Sequence, residues 1–155
     1  MSCSDWINEC ISGLIELYKT KDIYELYKCF NIKIIYVENN CILLQGNDAV
    51  YLRSCMNNEV VYIKDGLIFK YEKFVLAHEL AHALLHTKIY YASFNKKLLN
   101  NDKYEAQANY FAFKLLEITI DPNRFKGYSI TQISKILCVP QNILVQYLRF
   151  EKGGR

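Results

Sequence analysis

Phe74-Val75-Leu76-Ala77-His78-Glu79-Leu80-Ala81-His82-Ala83-Leu84-Leu85-His86 is the run from which both architecture and chemistry can be read. Neither Gly nor Pro interrupts it, and outside Glu79 and the histidines every side chain is apolar, the composition of a helix buried in a core. All three histidines of the chain lie in this run, and positions 78–82 spell His-Glu-x-x-His. Residues four apart on a helix stand one above the other on the same face, so the imidazoles of His78 and His82 can converge on one ion. Glu79 follows about 100° further round, where a carboxylate sits beside a metal and can take a proton from a metal-bound water. That spacing is the signature of a zinc metallopeptidase helix. The plain alternative is a pair of core histidines hydrogen-bonded to their neighbours, with Glu79 reaching solvent. His86 shares nearly the same face, but eight residues of helix rise about 12 Å, too far from His78 for one tetrahedral ion. It is expected to pack, or to touch a ligand histidine or the substrate. No histidine stands ten residues after His78, which argues against a metzincin.

A structural zinc takes four protein ligands, whereas a catalytic one takes three and leaves a position for water. One carboxylate is therefore sought downstream, and Asp102, Glu105, Glu117 and Asp121 stand between His86 and Pro122. The first three fall on or beside a second predicted helix, 102 to about 119. Asp121 precedes a proline and reads as a turn residue, and Glu117 sits at a helix C-terminus, where negative charge is disfavoured. Glu105 is the best placed, since Asn109, Ala112 and Leu116 continue its stripe on the apolar face. Asn109 could then hydrogen-bond a ligand histidine from outside the coordination sphere. Asp102-x-x-Glu105 also fits a capping box, and a first-turn carboxylate suits the helix dipole, so spacing alone leaves both readings open.

The run 78–86, followed by Glu105-Ala106-Gln107-Ala108-Asn109-Tyr110-Phe111-Ala112 and Leu115-Leu116, resembles the ImmA/IrrE family of metallopeptidases. Segment 23–37 resembles the family's amino-terminal region and 130–149 its carboxy-terminal helical unit, so most of the chain is covered. The resemblance implies a zinc-dependent, gluzincin-like protease of a prophage or integrative element, acting on a helix-turn-helix repressor. It places the metal ligands on His78, His82 and Glu105 and the general base on Glu79. Two departures are present. Ala81 stands where the family usually has Gly and is small enough to keep close helix packing. Gln107 and Glu117-Ile118 replace the commoner Glu and Met-Pro, which bears on substrate preference rather than on metal binding.

Length and composition agree with one globular domain, since 155 residues at 52% hydrophobic can bury one good core. The expected divisions are 1–66 for N-terminal helices and a small sheet, 67–120 for the metal-site helices, and 121–155 for a helix-turn-helix-like unit. Segment 4–18 reads as an amphipathic helix, and Asp22-x-x-Glu25 opens a second ending near Phe30. Segments 33–37, 41–44, 50–53 and 59–63 read as short strands separated by Asn39-Asn40, Gly46-Asn47-Asp48 and Asn57-Asn58 turns. Asp65-Gly66 marks the turn before the metal helix. The fold class is therefore α+β: a small mixed or antiparallel sheet on a zincin-like helix pair, with a C-terminal helical unit. A strand edge near the zinc could bind an extended peptide.

Six cysteines show no Cys-x-x-Cys spacing and, with no signal peptide in view, read as reduced thiols of a cytoplasmic protein. No stretch approaches the roughly eighteen apolar residues of a membrane span. A net charge of +3 does not argue for nucleic-acid binding. The second helix of the tail offers Gln141, Asn142, Gln146 and Arg149 but little basic charge, so packing or repressor contact is its expected use rather than base reading. Tyr90, Tyr91 and Tyr110 are candidate oxyanion donors. The expected activity is peptide-bond hydrolysis by a zinc-bound water, one Zn2+ per chain, with Glu79 passing the proton to the leaving amine. A zinc-containing repressor-binding module without proteolysis, or a DNA-binding regulator, are the alternatives.

Overall fold

The computed structural model describes residues 3–54, 56, 58–94 and 103–153. Asp102 and Asn57, named above as a candidate ligand and a turn residue, lie outside them, as does Cys55, one of the six cysteines read as reduced thiols. Among the described residues six α-helices and four strands follow in the order α1 (Cys3–Tyr18), α2 (Ile23–Cys29), β1 (Lys33–Val37), β2 (Ala49–Arg53), β3 (Glu59–Lys64), α3 (Phe69–Leu85), β4 (Tyr91–Phe94), α4 (Lys103–Leu115), α5 (Ile130–Leu137) and α6 (Gln141–Glu151). The architecture is α+β, with a mixed sheet in the order β1-β3-β2-β4. β1 runs parallel to β3, while β2 is antiparallel to both β3 and β4.

Local chemistry accounts for most boundaries. The Asp22 carboxylate accepts from the backbone N–H groups of Tyr24 and Glu25 and so caps α2. Ser129 and Gln132 form a reciprocal capping box at α5. Between β3 and α3 the chain turns through Gly66 at φ 76°, a conformation that costs a glycine little. The expected strand 41–44 is instead a single 3-10 turn, Ile42–Leu44. Leu44 is buried while Ile42 and Leu43 are exposed, and Gln45 and Gly46 both take positive φ, so the chain curls back where a strand would run on. The helix expected over 102 to about 119 also ends earlier, at Leu115. Glu117 adopts φ 53°, and Ile118 N–H bonds to Phe113 O while Glu117 N–H bonds to Lys114 O, a left-handed stop.

Strand alternation puts Val61, Ile63, Tyr51, Ala49, Ala92 and Phe94 on one sheet face, in register across β3, β2 and β4. That face packs on α3, whose residues 74–83 are all buried. α3 packs on α4, and α1 and α6 cover α4. Alanines at 77, 81, 108 and 112 are fully buried in α3 and α4, and side chains ending at Cβ let two helices approach closely. Arg53 at the end of β2 pins the far end of α3. Its guanidinium pairs with Glu59 at 2.8 Å and donates to Ala83 O at 2.7 Å and Thr87 O at 2.6 Å. Cys10, Cys29, Cys41 and Cys138 are free, and no described helix is long and apolar enough to cross a membrane.

α6 attaches through Phe113 and Tyr147, whose rings stack at 3.9 Å between centroids and 14° between planes. Both rings are buried. Phe113→Ala is expected to cost about 3–5 kcal/mol, the usual toll for truncating a buried phenylalanine, measured as the fall in unfolding free energy in urea. A loss under about 1 kcal/mol would show that α6 is not held by this stack.

Candidate metal centre

α3 places His78 and His82 one turn apart on the side that meets α4, and α4 brings Glu105 to them from its first turn. The two Nε2 atoms are 3.1 Å apart. Glu105 Oε2 lies 3.3 Å from His78 Nε2, and Oε1 lies 3.2 Å from His82 Nε2. These three residues form a group whose donor atoms all fall within 4.8 Å of one another. Donors held at roughly 2.0–2.1 Å around a tetrahedral ion are separated by about 3.3 Å, so the spacing matches the edges of a zinc tetrahedron. Three donor atoms also leave a fourth corner for water or substrate.

The surroundings suit a cation. Both carboxylate oxygens of Glu79 are buried and have no hydrogen-bond partner among the described residues. An orphaned buried carboxylate beside the cluster is costly unless positive charge or water completes it. Asn109 Oδ1 is 2.8 Å from His78 Nδ1 and accepts its proton, which leaves the Nε2 lone pair facing the cluster. This is the contact anticipated from the Glu105-Asn109 stripe. Asn109 is itself held by its Nδ2, which donates to Gln146 Oε1 of α6 at 2.6 Å.

Charge in the cluster follows from burial and pairing. Burial pulls His78 down, but hydrogen bonding and charge from Glu105, then Glu79 and Asn109, outweigh it and raise the imidazole above its ordinary value. His82 is lowered to about 4 by burial, with His78 and His86 adding to the effect and Glu105 opposing it. Burial acts to raise Glu105, yet its bonds to both histidines hold it far below the usual carboxylate range. Both histidines gain from the one carboxylate; at His78 that gain exceeds the cost of burial, and at His82 burial, with repulsion from His78 and His86 added, exceeds it. Glu79 is pushed up to about 8, chiefly by burial, with His78 opposing and Glu105 adding.

The other expected candidates fall elsewhere. Glu117 is exposed and pairs with Lys21, while the Asp121 carboxylate accepts from Asn123 N–H in a turn. Tyr110 is buried and exchanges hydrogen bonds with Asn8 of α1, and Tyr90 and Tyr91 are exposed at the start of β4. His86 is the C-cap of α3, only 5% exposed, with Nδ1 3.0 Å from His82 Nδ1 and Nε2 2.9 Å from Gln107 Oε1. The contacts of Gln107 and Gln146 were not legible from spacing, since neither shares the Glu105 stripe or the histidine run.

In metal-free protein a carboxyl raised from 4.5 to about 8 favours folding while protonated, and that contribution is lost as pH climbs between the two values. Glu79→Gln keeps the shape and removes the titration. Metal-free Glu79→Gln is therefore expected to gain at least ~1 kcal/mol over wild type between mildly acidic and mildly alkaline pH, read by urea unfolding in chelator. Parallel stability profiles would contradict the buried, ion-poor carboxyl described above.

Comparison with known proteins bears on the same residues. Residues 28–127 match the Peptidase_M78 family model, described as an IrrE N-terminal-like domain. An uncharacterized immunity region protein 2 of Bacillus phage phi105 is 32% identical over 111 residues, 71% of this chain and 67% of the relative. Metallopeptidase ImmA of Bacillus subtilis (strain 168) is 28% identical over 142 residues, 88% of this chain and 80% of the relative. The family match spans α3 and α4 and takes in the whole His-His-Glu group, so the chain belongs to the ImmA/IrrE family of metallopeptidases.

Proposed function

We propose that the chain is a zinc-dependent endopeptidase of the gluzincin type and that its substrate is a cytoplasmic helix-turn-helix repressor of a prophage or mobile element. The observation that carries the reading is the convergence of His78, His82 and Glu105 at tetrahedral-edge distances beside the orphaned carboxylate of Glu79. The immunity-region name of the phage relative and the metallopeptidase name of the bacterial one support the repressor context.

In this reading His78, His82 and Glu105 hold the ion. When bound, zinc polarises the scissile carbonyl and lowers the pKa of the attacking water. Glu79 takes the water proton and returns it to the leaving amine. Both oxygens of this carboxylate are buried and without a hydrogen-bond partner among the described residues, which leaves them available to the water proton. Asn109 holds the His78 ring through Nδ1. β4 is the terminal strand of the sheet, and the Phe94 ring lies 4.7 Å from the His78 ring. An extended peptide added to that edge would run alongside the cluster. α6 contributes Ile143, Leu144 and Tyr147 to the core and Gln146 to Asn109, which favours packing over base reading for this helix.

Elemental analysis of gel-filtered protein tests the centre. Wild type and Glu79→Gln are expected to carry about one zinc per chain, and Glu105→Ala to lose most of it. Incubated with a helix-turn-helix repressor, Glu79→Gln is expected to cleave about 10²–10⁴-fold more slowly than wild type, followed by mass spectrometry of the products. No metal in folded, zinc-supplemented wild type would overturn the reading. Repressor inactivation by Glu79→Gln without cleavage would replace it with a binding module.

A further inference from the structure

We propose that His86 and Gln107 form a positioning relay that sets the tautomer of His82, so that its Nε2 lone pair faces the metal position. The inference rests on the reading of His78, His82 and Glu105 as the metal ligands. It assigns a role to the third histidine of the run, which spacing left open between packing and contact.

The relay is a line of three buried polar side chains. Gln107 Oε1 lies 2.9 Å from His86 Nε2, and His86 Nδ1 lies 3.0 Å from His82 Nδ1. His82, His86 and Gln107 are 1%, 5% and 5% exposed. A carboxamide oxygen can only accept, so His86 Nε2 carries the proton and donates it. A neutral imidazole protonated at Nε2 has its lone pair on Nδ1. The contact between the two Nδ1 atoms is then satisfied in one sense only, with His82 Nδ1–H donating to His86. That leaves the His82 lone pair on Nε2, 3.2 Å from Glu105 Oε1 and 3.1 Å from His78 Nε2. With the His78 lone pair also on Nε2 through Asn109, three acceptor atoms meet at one point, the arrangement a cation requires.

The fold holds this line in place. α3 ends at His86, whose backbone leaves the helix at φ −116° and ψ 59°. The Arg53 guanidinium clamps the carbonyls on either side, Ala83 O and Thr87 O, and Ile89 N–H bonds to His86 O. The Tyr104 ring meets the His86 ring edge-on at 4.7 Å. A merely packed histidine needs no particular tautomer; a relay needs one at each ring.

Two measurements test it. Long-range 1H–15N correlation spectra of metal-free wild type at neutral pH report which imidazole nitrogen holds each proton. The expected result is His82 protonated at Nδ1 and His86 at Nε2; the reverse tautomer at either ring overturns the relay. Zinc affinity by chelator competition is the second readout. Gln107→Leu and His86→Phe are expected to weaken binding about 10–100-fold, while Gln107→Glu, which keeps an acceptor in place, stays within about threefold of wild type. Circular dichroism melts of the metal-free variants identify any that fail to fold, and the wild-type spectra and the Gln107 pair do not depend on His86→Phe folding. Equal affinity in Gln107→Leu and wild type overturns the proposal. If wild type takes up no zinc, the metal reading falls by itself and the spectra alone decide the relay.

Discussion

The contact on which the rest of the structure depends is the bridge from Glu105 on α4 to His78 and His82 on α3, at 3.3 and 3.2 Å. A carboxylate in a largely apolar interior is tolerated only when paired, and its two oxygens meet two different imidazoles. That requirement sets the register of the two helices. A slide of one residue along α4 would turn Glu105 and Asn109 away from α3 and take from His78 and His82 the oxygens they meet there. The buried alanines of both helices make the approach possible, and the sheet and the Arg53 clamp hold α3 from the other side.

Layers further out serve the same contact. Phe94 of β4 lies against His78, so the terminal strand is placed beside the cluster by the packing that buries the histidine. α6, which has the outline of a recognition helix, is instead tied inward by the Phe113–Tyr147 stack and by Gln146 on Asn109. Each of the two clustered histidines, His78 and His82, thus has its outer nitrogen occupied by a group from α4 or from the end of α3, and α6 braces one of those groups. A buried polar network is worth having only when all its members are satisfied. Glu79 is the member left without a partner among the described residues, and under the proposed mechanism it is the one that needs an open position beside it.

The features legible in the sequence are local. The His78-Glu79-x-x-His82 spacing implies two donors on one helical face because the 3.6-residue period is an intrinsic property of the backbone. The apolar flanks imply that this helix is central, and residues 74–83 are indeed buried without a break. Strands 33–37, 50–53 and 59–63 could be placed to within a residue because alternation is also local. The 41–44 segment misled because three apolar side chains in a row carry no period, and Gln45 and Gly46 then turned the chain back. β4 escaped for a related reason: Tyr91-Ala92-Ser93-Phe94 is a strand only because β2 stands ready to pair with it.

The sequence by itself determined two histidine donors on one face, the adjacent carboxylate and the central helix, all properties of one helix and its dihedral angles. Tertiary structure decided the rest. Spacing left Glu105 balanced between ligand and cap, and the crossing of α3 and α4 brought both its oxygens to the histidines. Gln107 and Gln146 gained their partners in the same way, across 21 and 37 residues of chain. Such contacts depend on the relative rotation and height of separate helices, which side-chain packing sets and no local period encodes.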